Sequence, residues 1–147
     1  MRNKSVDVNK ELFSGIKTII EQGRQQVAQS VNAGLTATYW HIGKLIREDI
    51  LKNKRADYGK QILRLLSTQL VKEYGSSFSV KSLHRMVQFN ERFPDLQIVA
   101  TLWRQLSWSH FKLLIPLKNN LEHDFYVQMC RIENWSVRTL QKKIIAT

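Results

Sequence analysis

The sequence is poor in cysteine, proline, glycine and acid: one, two, six and twelve residues respectively in 147. Each shortage excludes something. A lone Cys130 forms no intramolecular disulfide and no thiolate metal cluster, so nothing marks the chain for the secretory pathway, and the cytoplasm is the expected compartment. So few glycines and prolines leave little punctuation for the tight turns of a β-sandwich or barrel, and the expected class is all-α. No run approaches the roughly 18 apolar residues of a membrane span, and the opening MRNKSVDVNKE lacks the apolar centre of a signal peptide. Twelve acids against 23 Lys and Arg leave a net charge of +11 and a pI near 10.0, which points to a polyanionic partner.

The residues present are those of a folding chain. Hydrophobic residues make up 43%, and four Trp, four Tyr and six Phe separate it from a charged disordered tail. The length fits one domain over residues 1–147, a compact multi-helix domain in which roughly two thirds of the unfolded surface is buried. Apolar residues at three- and four-residue steps from Leu12 to Val31 predict an amphipathic helix over 7–33. A second helix is expected from Thr36 as its cap, with Tyr39, Ile42, Gly43, Ile46 and Ile50 on one stripe. A third runs from about Asp57 to Tyr74, where Gly75 is placed to end it.

Gly75 to Phe78 reads as a turn and Ser79 as the cap of a helix that stops before Pro94. Residues 61–93 therefore give helix, short turn, helix, the arrangement that presents a second helix to a DNA major groove. Val80, Leu83, Met86, Val87 and Phe93 form its inward stripe, while Lys81, Ser82, His84, Arg85, Gln88 and Arg92 remain for contact. Arg bridges the two acceptors of guanine, Gln pairs with adenine, and Lys or Ser holds phosphates. Upstream, Lys54, Arg55, Lys60 and Arg64 form a candidate phosphate-gripping shoulder. Shorter helices are expected over about 96–146. The four tryptophans are read as packing residues before stacking platforms.

Signatures of catalysis are missing: no phosphate-binding glycine loop, GxSxG, HExxH or CxxC occurs. Pro94-Asp95 would open a PD-(D/E)xK site, but no Asp or Glu in the chain has Lys two positions on. His123 and Cys130, seven apart, are two ligands and not a zinc site. The chain is thus expected to be no enzyme and to need no cofactor or metal.

The strings YWHIGKLI from Tyr39, ADYGKQILRLLSTQLVKEYG from Ala56, FSVKSLHRMVQF from Phe78, LSWSHFKLL from Leu106 and WSVRTLQKKI from Trp135 carry a resemblance. From about residue 12 to 146 the chain resembles the N-terminal helical domain of the YhcG-like bacterial family. Asn90 departs from it, standing where tyrosine commonly follows the phenylalanine. In that family the domain, regarded as helix-turn-helix-like, is usually followed by a PD-(D/E)xK nuclease domain, which these residues do not contain. The resemblance implies a nucleic-acid-binding module, for DNA before RNA, that works with a nuclease domain or subunit. The other reading is a protein-interaction or dimerisation module without direct nucleic-acid contact, in which the first long amphipathic helix and the Trp-containing C-terminal third pair with another copy or with a partner.

Overall fold

A computed structural model describes residues 2–53, 55 and 57–146 of the chain. It holds seven α-helices and, among these residues, no strand: α1 (Arg2–Lys52), α2 (Tyr58–Tyr74), α3 (Val80–Arg92), α4 (Leu96–Leu102), α5 (Trp108–Leu114), α6 (Asn120–Glu133) and α7 (Val137–Ala146). A 3-10 turn, Ser76–Phe78, links α2 to α3. The boundaries read from turn and cap residues agree with these to within about two positions, with one exception.

The exception is α1, a single helix where two are expected. Thr36 does not cap a new helix. Its side chain is fully buried and its hydroxyl donates to the Asn32 carbonyl at 2.8 Å, the in-helix bond to the residue four back. Thr38 does the same to Gly34. Gly34 costs about 1 kcal/mol inside a helix, but no proline is near and Ala33 and Ala37 favour continuation, so the helix runs through. At 51 residues it is roughly 76 Å long.

Among the α1 side chains described, only those of the second half are covered. Tyr39, Trp40, Gly43 and Ile46 turn onto α3, and at Gly43 an added Cβ would stand 1.9 Å from the Met86 carbonyl oxygen. The two backbones touch there. Nearby, Trp40 donates from Nε1 to the Phe93 carbonyl at 2.7 Å, and Arg47 donates to Asn90 Oδ1 at 3.1 Å. Asn90 is buried, and this bond supplies the partner that a buried amide needs.

Two apolar clusters flank α3. Tyr39, Ile46 and Leu63 pack with Leu83, Met86 and Val87 on one side, and Phe89 and Phe93 join Trp40, Phe111, Leu114, Tyr126 and Leu140 on the other. Phe89 is completely buried although it lies outside the inward stripe expected from the sequence, and Val80, assigned to that stripe, is exposed. The stripe is wider than one packing partner requires because α3 is covered on both flanks, by α1 and α2 on one and by α5 with Trp40 of α1 on the other.

Candidate nucleic-acid interface

At Gly75 the chain leaves α2 with φ +100° and ψ −173°, a region open essentially only to glycine, and the Gly75 N–H closes the helix on the Val71 carbonyl at 2.9 Å. Ser79 then caps α3, its Oγ accepting from the Ser82 N–H at 3.2 Å. The Ser79 hydroxyl donates to Ser82 Oγ at 3.0 Å, which leaves the Ser82 hydroxyl hydrogen available to an outside acceptor.

Lys81, Arg85, Gln88 and Arg92 follow at steps of 4, 3 and 4, so they form one stripe down α3, opposite buried Leu83, Met86, Val87 and Asn90. The stripe spans roughly 16 Å. Lys81 and His84 are exposed; Arg85 and Gln88 are half-buried, with Arg85 Nη1 donating to Gln88 Oε1 at 2.9 Å. Arg92 is already engaged, donating through Nη2 to the Leu117 carbonyl and through Nη1 to Asn120 Oδ1 at 3.3 Å. It ties the end of α3 to the α5–α6 connection, a contact that no pattern within α3 announces.

Between α3 and α5 lies a cleft of about 500 Å³. Lys81, Ser82, Arg85 and Met86 form its α3 wall, Trp108 and Lys112 its α5 wall, and Tyr39 and Ser77 complete it. Further along the stripe, Gln88, Glu91 and Arg92 line a second, smaller cleft with Pro116 and Lys118. Lys112, Ser77, Tyr39 and Trp108 are absent from the site expected on sequence grounds. Nothing local could have added them, since only the tertiary approach of α5 and α1 to α3 brings them there.

The cations of this surface lack anionic partners. Among the described residues no carboxylate lies within ion-pair distance of Lys81, Arg85 or Lys112, and His123 and Asp124, 3.3 Å apart, form an ion pair only when the imidazole is protonated. The upstream shoulder is placed elsewhere. Lys60 and Arg64 are exposed one turn apart on α2, and Arg55 lies over the Tyr58 ring at 5.7 Å while donating to Asn53 Oδ1 at 3.3 Å. None of the three lines either cleft beside α3. Lys54 lies outside the described residues.

His110 and Cys130 serve the packing of the C-terminal helices. His110 accepts at Nδ1 from the Ser107 N–H (3.0 Å), and its Nε2 faces the Trp135 carbonyl at 2.8 Å, which requires the proton on Nε2. Burial pushes the Cys130 thiol up to about 11, so it stays protonated in the core. Among the described residues, no group of three His, Cys, Asp or Glu is placed to hold a metal ion, and no helix is long and apolar enough to cross a membrane.

His123 is packed against the Phe93 ring at 5.0 Å. Burial holds its imidazole below the ordinary value of 6.5, Arg92 acts in the same direction, and Asp124 opposes them. The unfolded chain therefore takes up a proton near pH 6.5 that the folded chain takes up only at lower pH. The stability this group contributes is full above that value and is lost as the pH drops below it. Thermal melts at pH 7.5 and 5.5 are expected to show this loss in the parent and a smaller one in His123→Gln. Equal losses would assign the effect to other groups.

The fold and site define a class: an all-α module with an unneutralised cationic cleft between its third and fifth helices. The chain belongs to the family described as the DUF1016 N-terminal domain, whose model matches residues 15–147. It is also 30% identical to the Escherichia coli (strain K12) protein named "Putative nuclease YhcG" over 91% of its own length. The match covers 44% of that relative, so the chain spans less than half of it. No solved structure gives a significant match.

Proposed function

We propose that this chain is a nucleic-acid-binding module, non-catalytic by itself, that serves a PD-(D/E)xK nuclease system as its recognition or assembly part. The observation that carries the reading is the α3 stripe of Lys81, Arg85 and Gln88, mounted between two apolar clusters and with no carboxylate within ion-pair distance of its cations. α2, the 3-10 turn and α3 act as the helix-turn-helix-like unit. Ser82 and His84 flank the stripe, Lys60, Arg64 and Arg55 add phosphate contacts from α2 and its approach, and Arg92 fixes the end of the helix. Double-stranded DNA is the partner, because arginine and glutamine spaced along one helix suit base edges in its wide major groove, whereas that of RNA is too narrow to be read. The relative's designation as a nuclease supports a setting on nucleic acid. The unpaired, buried Cys130 suits the cytoplasm.

Affinity for duplex DNA, measured from 50 to 300 mM salt, tests this. It is expected to fall linearly on logarithmic axes as counterions are released. A flat response, or preference for RNA over DNA in competition, would overturn the assignment.

A second role is favoured by the first half of α1. Leu12, Phe13, Ile16, Ile19, Ile20, Val27, Val31 and Leu35 are between 45% and 69% exposed. Phe13, Ile16, Ile20, Gly23 and Val27 alternate steps of three and four, the seam of a coiled coil. This arm pairs with a second copy, giving a dimer with two α3 stripes. Light scattering is expected to give a dimer that Ile16→Ser, Ile20→Ser, Val27→Ser converts to a monomer. A parent that is monomeric at every concentration would end this reading.

A further inference from the structure

A helix that only reads a groove needs a convex polar face. Here the stripe has a hollow along one side, and the lining of that hollow is divided. Lys81, Arg85 and Lys112 bring three positive charges from two helices to its rim, while Tyr39, Met86 and Trp108 supply an apolar floor. The Trp108 ring is held in place, 5.0 Å from Tyr39 and 5.3 Å from Phe89, so the floor is preformed. A duplex backbone has no use for an aromatic floor, and a plain apolar ligand has none for three uncompensated cations. A nucleotide uses both, since it joins an anionic phosphate to a flat ring. At about 500 Å³ the cleft falls within the usual range for small-ligand sites, roughly 300–1,000 Å³.

We propose that the α3–α5 cleft seats one unpaired nucleotide of a nucleic-acid strand, its phosphate among Lys81, Arg85 and Lys112 and its base against Tyr39, Met86 and Trp108. The proposal rests on the nucleic-acid reading above and deepens it. A base paired within a duplex would first have to leave the stack, at a cost of a few kcal/mol, so the partner it selects is one whose base is already unpaired. An overhang or a gap next to a duplex supplies that base while the duplex lies along the stripe.

The test uses the full chain and four probes: a blunt duplex, the same duplex with a three-nucleotide overhang carrying 2-aminopurine, the overhang strand alone, and adenosine monophosphate. The overhang duplex is expected to bind at least about tenfold more tightly than the blunt one, with a change in 2-aminopurine emission. Lys112→Gln, on the α5 wall of the cleft, is expected to cut that preference to below about threefold, weakening the overhang duplex more than the blunt one. Lys142→Gln, an exposed cation on α7 that lines neither cleft, is expected to change neither. Salt-dependent duplex binding with no preference for the overhang would overturn this proposal and leave the groove reading standing. Adenosine monophosphate bound as tightly as the overhang duplex would overturn it too, by assigning the cleft to free nucleotides. Binding of none of the four would remove both readings.

Discussion

Gly43→Ala is expected to lower the melting temperature by about 6–12 °C, the shift that a loss of about 3 kcal/mol produces in a chain of this size. An added methyl would sit 1.9 Å from the Met86 carbonyl oxygen, 2.5 Å from its carbon and 3.1 Å from the Val87 nitrogen. All three are backbone atoms of α3, so no side chain can swing aside. Either α1 and α3 part, opening both apolar clusters, or one of them bends. The sign is informative, because alanine is the better helix former by about 1 kcal/mol wherever space permits. Gly15 in the same helix is such a place, with nothing within 4 Å of its added Cβ, and Gly15→Ala is expected to leave the melt unchanged or raise it. If Gly43→Ala melts with Gly15→Ala, the contact of α1 with α3 is not as close as described. α3 is positioned by this crossing, so Gly43→Ala is also expected to weaken nucleic-acid binding although it lies outside both clefts.

The second large effect concerns charge. Lys81→Glu, Arg85→Glu is expected to reduce affinity for duplex DNA by about 10²–10³ and to make the logarithmic salt dependence shallower by about two. Neither side chain enters an apolar cluster, so the melt should move by only a few degrees. A double substitution of the same kind at Lys60 and Arg64 is expected to cost less, because those cations stand on α2 away from the cleft. Parental affinity in the Lys81, Arg85 variant would move the interface elsewhere. Loss of binding together with collapse of the melt would point to folding instead, and circular dichroism of the variant separates the two.

The local signals in the sequence were sufficient for the turn and caps around α3. Gly75 adopts a conformation that few other residues tolerate, and the Ser79 hydroxyl meets its amide, because both features are settled within four or five residues of chain. The length of α1 was not legible in the same way. Threonine after Ala-Gly-Leu is a fair cap signal, yet the side chain turned back to Asn32 once Tyr39, Trp40 and Ile46 had α3 to pack against. The same limit applies to the width of α3's buried face. Phe89 faces α5, and a helix period read against one partner leaves it unassigned.

The contact residues divide along the same line. The spacing of Lys81, Arg85 and Gln88 on one helix face follows from 3.6 residues per turn and was readable directly. That Arg92 is held by Leu117 and Asn120, and that Lys112 lines the same cleft as Arg85, depends on residues more than 20 positions distant. By itself the sequence determined an all-α fold, the turn before α3, the cationic stripe and the family, since composition, periodicity and caps act over a few residues. Only the tertiary structure decided that the stripe borders a cleft with an aromatic floor, because that depends on α5 and α1 closing against α3, and long-range packing leaves no periodic trace in either helix.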